Sequence, residues 1–146
     1  MDFMEIALEE AQKSFQNGEV PVGAIIVKDN NIIGRGHNLK ETLKDTTMHA
    51  EIIAIKEASK YIDNWRLTGC EMYVTLEPCM MCIGAILHSR ISKLHIGTFN
   101  KDMGCCGSVI NLADDRRLGT FLNVQWSYDE RCSDMLNNFF KLRREE

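Results

Sequence analysis

The 146-residue sequence predicts an α/β protein in three α/β/α layers. Three observations carry that expectation. One amphipathic pattern opens the chain and another closes it. Between them, β-rich runs alternate with helical ones. Composition sits near the soluble average, with 45% hydrophobic and 26% charged residues. Such a length makes one domain, expected over 1–146, that buries a real core without staples. No run nears the roughly 18 apolar residues of a membrane span. Met1-Asp2-Phe3-Met4-Glu5 offers no basic flank ahead of an apolar core, so no signal peptide is expected.

In residues 2–17, Met4, Leu8, Ala11 and Phe15 recur at i, i+4, i+7 and i+11, a helix whose stripe packs on a sheet. Asn17-Gly18 ends it as a C-cap. Residues 20–27 and 32–36 are β-rich, and the turn chemistry of Lys28-Asp29-Asn30-Asn31 predicts a hairpin between them. Gly23 inside the first strand signals a bulge or a close backbone approach. Residues 49–60 fit a helix with Ile52, Ile55 and Ser59 on one side, and Thr46 and Thr47 are candidate caps.

A strand at 71–77 runs into a helix at 80–88 and then a short strand at 93–97. Two strands joined through a helix are expected to be parallel with a right-handed crossover. Residues 100–120 are rich in Gly, Asp and Asn, and predict irregular chain with one helical turn around 109–114. A last strand is expected at 121–128. A closing helix at 129–144 presents Cys132, Met135, Leu136 and Phe139 on one face. No repeat, low-complexity tract or linker is visible.

The chemistry concentrates in Met48-His49-Ala50-Glu51 and Glu77-Pro78-Cys79-Met80-Met81-Cys82. One imidazole and two thiols are the ligand count of a catalytic zinc with an open fourth position, and a spare carboxylate beside them suits acid/base work. Opening a helix, the C-x-x-C pair puts both sulfurs on one face. A helix N-terminus also favours the thiolates that zinc requires. Pro78, just ahead of Cys79, suits a helix start. His49 and Glu51 would diverge by about 200° in a helix interior, so they can share a pocket only where a helix begins. The order H-x-E … P-C-x-x-C is itself the known signature of the zinc nucleobase deaminases. A lone C-x-x-C would be weak, being shared with redox and structural zinc sites.

Net charge is −4, which argues against a non-specific nucleic-acid binder but leaves room for a local basic patch. Lys141, Arg143 and Arg144 form one candidate patch, with Arg90 and Lys93 as others. Those tail cations also complement a helix C-terminus. Six cysteines in a chain with a sufficient core need no disulfide framework, so a reducing cytoplasm is expected. Cys70 and Cys132 read as buried apolar residues. Asn38 reads either as a turn former or as a pocket amide. His37, His88 and His95 are the candidates for a fourth ligand, which would turn the site into a closed structural zinc in a non-catalytic module. The spare Glu51 speaks against that.

Several of these runs resemble the bacterial tRNA adenosine deaminases, within the cytidine-deaminase-like superfamily. The likeness runs nearly end to end. It rests on Glu19-Val20-Pro21-Val22-Gly23-Ala24, His49-Ala50-Glu51, Tyr73-Val74-Thr75-Leu76-Glu77-Pro78-Cys79, His88-Ser89-Arg90-Ile91 and Phe139-Phe140-Lys141-Leu142-Arg143-Arg144. The last two runs select this branch over the cytosine, guanine and cytidine deaminases. The resemblance implies a mixed central five-stranded sheet, a homodimer, one zinc per subunit, and conversion of a wobble adenosine to inosine in a tRNA anticodon stem-loop. It implies His49, Cys79 and Cys82 as ligands and Glu51 as proton shuttle. Asn38, Ala50, Glu77, Phe139, Arg143 and Arg144 are implied in substrate binding, with Asn100 and Lys101 on a loop beside the flanking nucleotides. A free-base deaminase of the same superfamily is the nearer alternative. This chain departs from the family's usual residues at Met48, at Asn100 where the family carries Asp, and at Cys105-Cys106.

Overall fold

A computed structural model describes residues 1–145; Glu146 lies outside the described residues. Helix α1 (Phe3–Gln16) starts where the Asp2 carboxylate accepts the Glu5 backbone N–H at 3.1 Å, a side-chain cap. Strands β1 (Gly23–Lys28) and β2 (Asn31–His37) form the expected antiparallel hairpin. Its turn residues Asp29 and Asn30 hold φ of 50° and 63°, the pairing that matches strand twist. β1 starts at Gly23 rather than at residue 20, because the Val20 and Val22 carbonyls are taken by Asn38.

Then come α2 (Lys40–Leu43), α3 (Ala50–Ile62), β3 (Glu71–Leu76), α4 (Met80–His88) and β4 (Lys93–Thr98). A two-stranded hairpin, β5 (Asp114–Asp115) with β6 (Thr120–Phe121), precedes β7 (Asn123–Trp126) and α5 (Glu130–Glu145). The main sheet has the order β2-β1-β3-β4-β7. It is mixed: β1 is antiparallel to β2 and β3, while β3, β4 and β7 run parallel. Strand alternation sorts its side chains into two layers. Ala24, Ile26, Met72, Val74, Leu94 and Ile96 face α3 and α4, whereas Ile25 and Val27 face α1 and Cys132 of α5. Each fully buried Ile or Leu stabilises the fold by about 1.5–3 kcal/mol.

Three expectations are corrected. Val109–Asp114 forms no helical turn; Val109 and Ile110 donate back to the Gly104 carbonyl, and Cys106 bridges Asn111. The strand expected at 121–128 is split, because Leu122 is buried and donates to Ala113, so only 123–126 reaches the main sheet. The buried face of α3 is Ala50, Ala54 and Ala58, not Ile52, Ile55 and Ser59. The cause lies in β2. A Cβ on Gly34 would sit 2.4 Å from the Ala54 carbonyl oxygen, and one on Gly36 2.2 Å from that of Ala50. Helix and strand approach so closely that only alanine fits. Gly23 likewise marks a close approach, to α1, since its Cβ would meet the Ala7 carbonyl oxygen at 2.0 Å.

Gly36→Ala is therefore expected to destabilise the protein by roughly 1–3 kcal/mol. Gly84→Ala, in helix α4 with open space around its Cβ, is expected to stabilise by about 0.4–1 kcal/mol. Urea midpoints at constant slope measure both. Equal shifts of one sign would contradict the packing described.

Candidate active site

Two helices begin side by side near the carboxyl end of β3, where α/β sheets open toward ligands. His49 is the N-cap residue of α3 and Cys79 that of α4, and neither side chain caps its own helix. Positions that usually hold Ser, Thr or Asp are given to groups that face each other instead. Thr47 and Asp45 bond one another rather than capping α3. Pro78 lies one residue before the cap, not in the first turn. Because His49 has extended backbone (φ −81°, ψ 154°), the helical divergence does not apply, and Glu51 shares its pocket.

His49 Nδ1 stands 3.7 Å from Cys79 Sγ and 3.5 Å from Cys82 Sγ, and the three ligand atoms lie within 4.8 Å of one another. Zinc bonds of about 2.05 Å to nitrogen and 2.3 Å to sulfur at tetrahedral angles require N···S edges of about 3.6 Å. The trio fits. No fourth His, Cys, Asp or Glu joins the group among the described residues, which is the arrangement of an open site rather than a closed one. His37 pairs with Glu10 and His95 with Glu71 instead. The Cys79 thiol is pulled down to about 3 by a hydrogen bond from Cys82, which is itself pushed up by that bond and by burial. One proton shared between two sulfurs is what a dication displaces, since a coordinating thiol is deprotonated outright.

The cleft over the trio measures about 240 Å³. Among the carboxylates on its walls, two are committed. Glu19 accepts the Glu41 and Thr42 N–H groups and so ties down α2. Glu77 accepts the Asn100, Cys106 and Ser108 N–H groups. Glu51, 4% exposed, forms no ion pair among the described residues, and burial pushes its carboxyl up to about 7. A group poised there can both take and give a proton near neutrality.

The other expected residues divide. Asn38, Ala50, Asn100 and Arg143 line the cleft. Asn38 serves as turn former as well, accepting from Lys40 N–H and donating to the Val20 carbonyl. Asn100 Oδ1 accepts from the Asp102 and Met103 N–H groups. Phe139 is buried edge-on against Phe15 and carries the Arg143 guanidinium 5.2 Å above its ring, a cation–π arrangement. Lys101 and Arg144 are exposed and outside the cleft. Lys40 and Glu41 on the wall, and Glu19 behind them, were not singled out from sequence. Their helix of four residues is too short to leave a periodic signal.

Residues 1–98 match the cytidine and deoxycytidylate deaminase zinc-binding region. The chain is 48% identical over 144 residues to the tRNA-specific adenosine deaminase of Aquifex aeolicus, covering 97% of this chain and 94% of the relative. It is similar to a structure from work on A-to-I editing by tRNA:A34 deaminases at the wobble position, with TM-score 0.88 and 36% identity over 92% of this chain and 98% of that one. Guanine deaminase from Bacillus subtilis is more distant in shape, with TM-score 0.65 and 37% identity over 68% and 64% of the two chains. With its metal trio, its mixed sheet and a likeness that covers nearly the whole of both chains, the chain belongs to the tRNA adenosine deaminase family, in the cytidine-deaminase-like superfamily.

Proposed function

We propose that this protein is a zinc-dependent tRNA adenosine deaminase that converts the wobble adenosine of an anticodon to inosine. The observation that carries the reading is a buried Glu51, in no ion pair among the described residues, beside a three-ligand metal trio at the base of a cleft that Arg143 helps to line. Zinc held by His49, Cys79 and Cys82 supplies Lewis acidity that brings the pKa of water from 15.7 to about 7. Glu51 takes a proton from the attacking water and passes it to N1 of the adenine. It then takes the second from the new C6 hydroxyl and gives it to the amine, so that the C6–N bond breaks, ammonia leaves and C6 becomes a carbonyl. Ala50, fully buried at the start of α3, leaves the space beside Glu51 that the base fills.

A cleft of this size takes one nucleotide at a time, so the target must leave its stack. That costs a few kcal/mol in a duplex and less in a loop, which favours an anticodon loop. The Arg143 guanidinium, stacked on Phe139, faces phosphates at the mouth; Arg144, Lys141 and Lys101 extend the positive surface. The reading also includes a homodimer. Ile53, Ile55 and Trp65 line a groove on the outer side of α3, where a second copy would cover them. Six free thiols suit a reducing cytoplasm. No helix among the described residues is long and apolar enough to cross a membrane.

The test is inosine formation on an anticodon stem-loop carrying a wobble adenosine, beside free guanine, cytosine and adenine. Product from the hairpin alone is the expected result. Turnover of a free base with an untouched hairpin would move the assignment to the nucleobase deaminases.

A further inference from the structure

We propose that Glu77 is a positioning residue whose buried carboxylate holds the 100–108 loop in place, so that Asn100 forms part of the cleft wall. Its effect on substrate rests on the deaminase reading above. Glu77 is 1% exposed and follows the last residue of β3, two positions before the ligand Cys79. Its Oε1 accepts the Asn100 N–H at 2.9 Å and the Ser108 hydroxyl; its Oε2 accepts the Cys106 N–H at 2.9 Å and the Ser108 N–H at 3.1 Å. Every acceptor direction is therefore turned into the loop rather than toward a substrate. The loop is shaped to receive it. A Cβ on Gly104 would stand 2.4 Å from the Glu77 carboxyl and 2.4 Å from the Asn100 carbonyl oxygen. Cys105 N–H bonds the Pro78 carbonyl at 3.0 Å, closing the seam between loop and metal strand.

The bonding pattern separates this role from mere space filling. Glutamine has the same shape but one acceptor oxygen fewer. Wherever its NH₂ lies, it faces at least one backbone N–H, donor against donor. A packing role tolerates Glu77→Gln; an acceptor role does not. Ser108→Ala is the milder companion, removing one hydroxyl donor and keeping the carboxylate.

The experiment is amide hydrogen exchange of the zinc-loaded protein across 98–110, with zinc content and steady-state kinetics on the anticodon hairpin. Losing charge-assisted bonds is expected to speed exchange there by about tenfold or more in Glu77→Gln, and by several-fold in Ser108→Ala. Zinc stays at the wild-type ratio, and KM for the hairpin rises by about tenfold while kcat changes little. Unchanged exchange in both variants, zinc loss in both, or an unaltered KM would each overturn the proposal. Exchange and zinc are read without substrate. A wild-type protein inactive on the hairpin thus overturns the deaminase reading and leaves the loop result in force.

Discussion

Glu51→Gln is expected to lower kcat for inosine formation by about 10²–10⁴-fold, the range a positioned acid/base contributes. A thousandfold loss corresponds to about 4 kcal/mol of transition-state stabilisation. The substitution keeps volume at a buried position on the cleft wall, so a repacking effect does not compete with a chemical one. Zinc is expected at the wild-type ratio, because Glu51 stands outside the ligand trio. Hairpin affinity is expected to hold, since the cations that line the cleft, Lys40 and Arg143, are untouched by the substitution. Single-turnover rates with enzyme in excess, together with metal content, make the measurement. A near-normal rate with zinc in place would remove Glu51 from the chemistry.

Loss of a ligand acts on stability as well as rate. Cys82→Ala leaves one thiol and one imidazole, and activity is expected to fall beyond about 10³-fold, with zinc well below one per chain. A metal at a thousand times its dissociation constant contributes about 4 kcal/mol. For a protein of this length, where 1 kcal/mol moves the midpoint about 2–4 °C, that is a fall in Tm of roughly 10 °C. Chelation of the wild-type protein is expected to reproduce the shift. Cys132→Ala provides the contrast: its thiol is equally buried but packs on Gly97 and is no member of the trio, so zinc stays bound. Equal zinc in both variants would argue against Cys82 as a ligand.

The metal residues were legible in the sequence because coordination demands particular side chains at particular spacings. His49, Glu51, Cys79 and Cys82 could be read without knowing what lay between them. The hairpin at Asp29-Asn30 and the parallel β3–α4–β4 unit were legible for a similar reason, local turn chemistry and period. Glu19 and Glu77 were harder. A carboxylate that accepts distant backbone N–H groups has no local signature; its meaning comes from which loop is brought against it. Glu77 was read toward the substrate, and the structure turns its oxygens into the 100–108 loop. The alanine face of α3 was hidden too, since pattern reading favours the larger Ile52 and Ile55, while Gly34 and Gly36 on another element decide which face fits. Asn38 shows that its two readings were never exclusive, because the same side chain shapes the turn and lines the cleft.

The division of the cleft along the chain has a consequence during synthesis. His49, Glu51, Cys79 and Cys82 are all synthesised before any of Asn100, Ser108 or Arg143. A nascent polypeptide thus carries the whole His49–Cys79–Cys82 trio and Glu51 beside it while still lacking the Asn100 wall and Arg143. On the proposed function, the groups for cofactor capture therefore precede those for substrate capture in the order of synthesis, and a translation product that stops short of α5 lacks the Arg143 proposed to face the RNA.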